Sequence, residues 1–341
     1  MRIILASKNF AVNRNVSHTG LGVSGINTAK VLHKHGIHAE VWQVVDSNEL
    51  RMGLNWHRRD AKPITHVIIS APWIHTHALT HLCHLFPNIQ FAVSSHSNVG
   101  FLQADPQGMK LFREALELEM SVHNFSAAGN SKKFCRWIED AYGSPCTHLP
   151  NLYFLNKIHK SHRRLWDGGV LKIGVFGATR PQKNIASAVG AAVELSYQLK
   201  AETQIWLSSG RTEGGGNTIL NTVREMVRGL PNVSLHEAGW LTWTSFRTLV
   251  GSMHLLITPS YTESFNMCVA DGIAEGVPSV VGEAIDWVPQ SWRGNVDDVF
   301  DLAKVGRHLI HDSHAAAEGY EHLQNYVEHG VRAWEKFLKR G

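Results

Sequence analysis

Residues 259–281, PSYTESFNMCVADGIAEGVPSVV, hold two carboxylates, Glu263 and Asp271, with seven residues between them. An apolar run, MHLLITPS at 253–260, ends where this stretch begins, and S-F-N opens a helical pattern. Backbone amides at a helix start lack a helical acceptor and lie at the positive end of the helix dipole. Those of Phe265, Asn266 and Met267, just after Ser264, therefore suit an anion or a set of hydroxyl groups. Asp271 falls about two helical turns past Glu263, on the same side if Glu263 faces that way. The plainer reading makes Glu263 a capping acid and Asp271 an ordinary acid in the first half of a helix.

A second stretch, GATRPQKN at 177–184, places Arg180 and Lys183 three apart between a strand pattern and a helix pattern. Two cations beside a helix start neutralise charge that grows on a departing anionic group. The plainer reading is a solvated basic turn, and its place at a strand's carboxyl end favours chemistry. A third stretch, HTGLGVSGIN at 18–27, spaces Gly20, Gly22 and Gly25 as G-x-G-x-x-G. In the dinucleotide-binding fingerprint these glycines follow the first strand directly. Here twelve residues, 8–19, intervene, although Asp46 stands near the end of the second strand as that fingerprint requires. What survives is a flexible backbone able to present N–H groups to an anion. His96, in SSHS, closes the fourth strand pattern; a satisfied loop histidine is its ordinary reading.

The elements that must position these groups alternate in type. Strand patterns cover 2–7, 39–45, 66–71, 89–94 and 123–128, with helical patterns at 24–35, 74–86, 106–121 and 131–142. Alternation of this kind predicts a parallel sheet covered by helices on both faces. The pattern breaks at 143–170, turn-rich and then basic, and restarts with strands at 171–177, 203–209, 232–236, 253–260 and 277–282. Helices are expected at 184–199, 217–228, 243–251, 265–275 and 315–338. Two α/β domains of similar size follow, facing across a cleft, with ligands expected at the carboxyl ends of strands.

Taken together, these residues resemble the retaining GT-B glycosyltransferases, the E-x7-E nucleotide-sugar family (glycosyl transferases group 1). The glycines late after strand one, the R-x-x-K-N turn, the PS-x-x-E-S-F helix and a final helix occur in that family's order, across nearly the whole chain. The resemblance implies a GT-B fold of two Rossmann-like domains: an acceptor-side domain at 1–150, a nucleotide-sugar domain at 151–320, and a helix at 321–341 packing back on the first. It implies that Gly20 and Gly22 approach the donor diphosphate and that Arg180 and Lys183 grip it. Glu263 would hold the donor sugar, beside Ser264 and the amides of 265–267. Asp271, one methylene shorter than the family's glutamate, would hold the ribose. Gly239, Trp240 and Leu241 would lie near the base. His96 would stand by the transferred centre as a catalytic residue with Glu263, and Asn151 matches a linker asparagine. The implied reaction is transfer of a hexosyl or pentosyl group from a donor such as a UDP- or GDP-sugar, with retention, without metal or other cofactor, to a hydroxyl on a glycan, lipid or small molecule.

Composition is that of a globular chain: 341 residues, 43% hydrophobic, 18% charged, net charge +4, with 22 histidines. No apolar run reaches the roughly 18 residues of a membrane span, and MRIILAS reads as a strand rather than a secretion signal. Cys83, Cys135, Cys146 and Cys268 show no metal-like spacing, which fits a reduced, cytoplasmic setting. His75, His77, His81 and His84 crowd one helix and read as surface residues, His77 and His81 being the pair spaced for a metal. KKFCRWI at 132–138 reads as a sheet-covering helix, and the basic run at 157–164 as a linker or a contact for an anionic acceptor. Other readings stay open: the same donor chemistry on a hydroxymethylated DNA base, a nicotinamide-dependent Rossmann oxidoreductase, and a non-catalytic sugar-nucleotide binder.

Overall fold

The computed structural model describes residues 1–9, 19–155 and 165–339. The chain divides into two compact units, Met1–Phe154 with Val327–Gly341, and Leu155–Tyr326.

The first unit is built on six parallel strands, β1 (Arg2–Lys8), β2 (His38–Val44), β3 (His66–Ser70), β4 (Gln90–Ser95), β5 (Phe125–Gly129) and β6 (Thr147–His148), in the order β2-β1-β3-β4-β5-β6. Its helices are α1 (Thr19–Lys34), α2 (Ser47–Trp56), α3 (Thr76–Leu85), α4 (Val99–Leu102), α5 (Pro106–Ser121) and α6 (Lys132–Tyr142). Side chains alternate across a strand. Ile4 and Ala6 of β1 accordingly join Leu50, Leu54, Leu79, Leu82 and Leu118 in one core. Ile3 and Leu5 join Val31, Leu32, Val331, Trp334 and Phe337 on the other face. A central strand buried on both faces is apolar along its middle, which is why residues 3–6, IILA, form a continuous apolar run.

Some local expectations are corrected. Helix α1 starts at Thr19, so Gly20 and Gly22 occupy its first turn rather than a loop before a helix at 24–35. Glycine is a poor helix former, and three in six residues hide the start. Helix α2 and the short β6 were not anticipated. The basic stretch at 132–138 is the sheet-covering helix α6, which buries Phe134, Cys135 and Ile138. Helix α3 buries Leu79, Leu82 and Cys83 and leaves His75, His77, His81 and His84 exposed. Cys135 and Cys146, distant in spacing, bring their sulfur atoms to 3.4 Å.

The second unit holds five parallel strands, β7 (Leu171–Val175), β8 (Thr203–Ser208), β9 (Val233–Ala238), β10 (Leu255–Thr258) and β11 (Ser279–Val281), in the order β11-β10-β7-β8-β9. Helices α7 (Ile185–Leu199), α8 (Gly216–Val227), α9 (Trp243–Gly251), α10 (Met267–Ala274) and α11 (Val299–His311), the last unanticipated, flank this sheet. Helix α12 (Ala315–Leu338) gives its first residues to this unit and Val327 onward to the first. The order reverses at β7. The chain runs outward through β8 and β9, then returns to place β10 on β7's other side. In an open parallel sheet such a reversal parts the loops at the strands' carboxyl ends and leaves a crevice there. The loops leaving β7 and β10 carry Arg180, Lys183 and Glu263.

Candidate functional site

After β7 the chain bends at Gly177, whose φ of +124° is open to glycine and strained for other residues. Arg180 is extended and caps a single 3-10 turn, Pro181–Lys183, which the Lys183 amide closes by donating to the Arg180 carbonyl at 3.0 Å. Asn184 then adopts the left-handed conformation, φ 51°, anchored by its side-chain amide donating to the Val296 carbonyl at 2.9 Å, and α7 begins. The loop leaving β10 is tied to this turn by the Tyr261 amide donating to the Gln182 carbonyl at 3.0 Å. That bond brings Lys183 to Glu263: Nζ lies 2.5 Å from Oε1, with the two side chains 9% and 8% exposed.

Asn266 donates from Nδ2 to the same Glu263 oxygen at 3.1 Å and accepts at Oδ1 from the Val269 amide at 3.1 Å, capping α10. The helix therefore starts two residues later than expected, at Met267, with Asn266 as its cap in a positive-φ conformation of 77°. The amides of Met267 and Cys268, rather than those of 265–267, head the helix. The Phe265 side chain is core: it is 1% exposed, stacks on Trp287 at 4.9 Å, and the residue's carbonyl accepts the Trp287 indole N–H at 2.6 Å. Ser264 and Met267 are partly exposed on either side of it.

Asp271 is 2% exposed, and its Oδ1 accepts the Trp243 indole N–H at 3.0 Å. Cys268, a residue the sequence did not single out, stands in the field of Lys183, Asp271 and Glu263. Burial pushes its thiol up to about 12, opposed by the lysine and reinforced by the two acids.

Arg180 is paired too, its Nη1 3.0 Å from Oε2 of Glu213, whose other oxygen is taken by Arg211. Burial pulls the Glu213 carboxyl upward, yet Arg211 and Arg180 outweigh it and hold the group below its ordinary range. Glu213 and Arg211 were missed, though RTEGGG after β8 is a charged, glycine-rich loop at a strand's carboxyl end. After β9, Gly239, Trp240 and Leu241 form a loop against Gly210. A Cβ on Gly210 would fall 2.6 Å from the Trp240 nitrogen, so only glycine admits this approach. Trp240 is 57% exposed.

In the first unit, His96 follows β4 and its Nδ1 lies 3.4 Å from Asn130 Nδ2. Burial lowers His96 to about 4, so it is a neutral imidazole at pH 7. With Ser24, Thr28, Ser70, Ser94 and Asn151 it lines a cavity of about 20 Å³, roughly one water in size. Ser24 donates to Asn151 at 2.7 Å, so α1 and the 150–154 segment are locked by side chains. A Cβ added at Gly20 meets nothing within 4 Å, and at Gly22 only Gln43 Nε2 at 3.7 Å. Packing therefore does not require either glycine.

Asp46, the acid wanted by a dinucleotide site, caps α2 by accepting the Glu49 amide at 2.9 Å, while Glu49 accepts the Val45 amide at 2.5 Å. This reciprocal cap gives Asp46 a structural task. The basic run at 157–164 lies outside the described residues. Among the described residues, no group of three or more His, Cys, Asp or Glu side chains is placed to hold a metal ion, and no helix is long and apolar enough to cross a membrane.

No family model matches the sequence, and no curated protein matches it. Solved structures do. The chain is similar to the N-terminal domain of Candida albicans trehalose-6-phosphate phosphatase, with TM-score 0.67, 12% identity, and 99% of this chain and 96% of that one covered. It is similar to Anabaena HepE in complex with UDP and glucose, with TM-score 0.63, 14% identity and 99% of both chains covered. It is also similar to WaaG, a glycosyltransferase of lipopolysaccharide biosynthesis, with TM-score 0.59, 13% identity, and 96% of this chain and 95% of that one covered. At such identities the likeness is one of fold. The chain has the GT-B fold, with two Rossmann-like parallel-sheet units.

Proposed function

We propose that the protein is a retaining glycosyltransferase that moves a sugar from a nucleotide-diphosphate sugar to an acceptor hydroxyl, without a metal. The observation that carries this reading is the Lys183–Glu263 pair at the strand-order reversal of the second sheet, with Arg180 on the same turn-bearing loop. Each cation is held by a carboxylate, so neither buried charge is left uncompensated. A donor diphosphate exchanges these partners. Lys183 and Arg180 pass to the phosphates, and Glu263, still held by Asn266, accepts from hydroxyls of the sugar. The amides heading α10 add partial positive charge in the same place. Cations already fixed where charge grows on the leaving diphosphate stabilise departure without a bound ion, and fixed donors of this kind supply several kcal/mol, about 3–4 for one in a well-formed site. The GT-B fold and a neighbour solved with UDP and glucose support the donor class.

In the first unit, Gly20 and Gly22 leave two positions in the first turn of α1 without a side chain, which suits approach of the donor diphosphate. His96, neutral through burial, serves as a hydrogen-bonding group beside the transferred centre rather than as a cation. Asp271 is assigned to the ribose and Gly239–Leu241 to the base. A glycan, lipid or small molecule is the proposed acceptor class, and a cytoplasmic setting is proposed from the cysteine usage.

Thermal unfolding against UDP-, GDP-, ADP- and TDP-sugars tests this reading. A ligand at about 100 times its Kd stabilises the native state by about 2.7 kcal/mol, or roughly 5–10 °C in Tm. One nucleotide sugar is expected to give such a rise and to undergo slow hydrolysis that Glu263→Ala abolishes. Tight NAD(P) binding with no response to any nucleotide diphosphate overturns it.

A further inference from the structure

We propose that Cys135 and Cys146 form a reversible modification site: a peroxide closes the two thiols into a disulfide that clasps α6 to the edge strand β6, and a thiol reductant reopens it. Both residues belong to the first unit, and none of the groups assigned to the donor takes part.

Cys135 closes the first turn of α6, its amide donating to the Ser131 carbonyl at 3.0 Å. The helix ends at Gly143, whose φ of +61° turns the chain back, and Ser144 and Pro145 return it to Cys146 and then to β6. This return brings the Cys146 thiol, as donor, to 3.4 Å from the Cys135 sulfur, which is itself 3.6 Å from the Gly129 carbonyl. The same carbonyl accepts the Leu149 amide at 2.9 Å, so the sulfur pair lies against the seam between β5 and β6. Phe112, Leu116, Phe134 and Ile138 pack with both cysteines in one apolar cluster. Strand β6 has two residues and lies at the edge of the sheet, paired on one side only, so a covalent tie beside it adds to a short ladder.

A disulfide holds its sulfurs at about 2.05 Å, so this pair closes by roughly 1.4 Å. The turn before Cys146 is at the surface, with Gly143 and Pro145 exposed, and the chain can follow. The hydrogen bond between the thiols sets the order of events. That bond, and then burial, push the Cys146 thiol far up, so Cys146 keeps its proton and donates it. Cys135 is then the sulfur that ionises, in the turn of α6 where the helix dipole favours negative charge. Its thiolate attacks one oxygen of hydrogen peroxide. The O–O bond breaks, hydroxide leaves, and a sulfenic acid remains on Cys135. The Cys146 sulfur attacks that sulfur, the S–O bond breaks, and the hydroxide departs as water with the Cys146 proton. In sum, two thiols and one peroxide become one disulfide and two waters, the sulfurs being oxidised and the peroxide oxygens reduced.

The test is peptide mass spectrometry on the full chain, reduced, exposed to hydrogen peroxide in native buffer, then blocked with iodoacetamide in denaturant. Wild type is expected to yield peptides linked through Cys135 and Cys146, while Cys83, 1% exposed on α3, and Cys268, in the second unit, are recovered alkylated. The linked protein is expected to unfold roughly 5–10 °C higher, and dithiothreitol to return it to the starting temperature. Cys146→Ala is expected to stop at the Cys135 sulfenic acid, trapped with dimedone, with no rise in unfolding temperature. Wild type that keeps both thiols overturns the proposal, as does linkage only in denaturant, linkage between chains, or oxidation of Cys135 without linkage. A linked protein with an unchanged unfolding temperature overturns the clasp. The wild-type result decides whether or not Cys146→Ala folds.

Discussion

Lys183 Nζ and Glu263 Oε1 meet at 2.5 Å, although 80 residues separate them and they leave neighbouring strands, β7 and β10. The pair is nearly buried, so each charge depends on the other. Lys183→Ala leaves Glu263 without its cation in a site of low polarity and is expected to cost about 3–5 kcal/mol of stability, as for other broken buried pairs. Lys183→Ala/Glu263→Ala should recover much of that loss while remaining unable to bind donor. Urea unfolding of the two singles and the double measures this; additive losses would show that the pair is not coupled.

Arg180 and Arg211 share Glu213. Under the proposed transferase reading Arg180 meets the leaving diphosphate, so in Arg180→Ala turnover should fall about 10²- to 10³-fold. Glu213→Gln weakens the competing carboxylate, so nucleotide diphosphate affinity should rise a few-fold. Calorimetry decides; weaker binding in Glu213→Gln would mean that the acid orients the arginines more than it competes for them.

Gly22 separates folding from function. Its site has room for a Cβ, and it lies in the first turn of α1, where alanine is a better helix former by about 1 kcal/mol. Gly22→Ala should therefore unfold at the same or higher temperature, and under the proposed role of Gly22 at the donor diphosphate it should transfer sugar more slowly. Equal activity in Gly22→Ala would remove the glycine from the donor site.

His66 gives a pH test. It is 2% exposed, packs edge-on to Phe337 at 5.5 Å, and burial lowers it to about 4. Below about pH 6.5 the unfolded chain takes up a proton that the native state refuses until about pH 4, so stability falls as pH drops through that window. Between pH 7 and pH 5 this one histidine should cost about 2 kcal/mol. Denaturant midpoints at the two pH values, with His66→Met as the variant expected to flatten the slope, measure it. His96 and His148, lowered in the same way, add in the same direction.

Much of this protein was legible because strand and helix patterns are local. The run RIILAS had to be a two-sided buried strand, PQGMKLFREALELEMS had to be a helix, and the residues most suited to anion chemistry fell in loops after strands. Gly20 and Gly22 were visible as a spacing but not as a helix start, since low propensity masks a first turn that flanking packing imposes. The Phe265 side chain could not be placed from the sequence, because its stack with Trp287 depends on a residue 22 positions away. Trp243 carried no short motif, Cys268 stood inside the 259–281 stretch without a role, and Arg211 and Glu213 offered only the charged, glycine-rich loop RTEGGG.

The sequence by itself determined two parallel α/β sheets and the types of charge available at their strand ends. Only the tertiary structure decided the partners: that Lys183 goes to Glu263, Arg180 to Glu213 and Asp271 to Trp243. The reason is physical. Element type follows from periodicity within some ten residues, whereas ion-pair choice follows from strand order, and the return of β10 to the side of β7 is set by the whole sheet's packing rather than by any one segment.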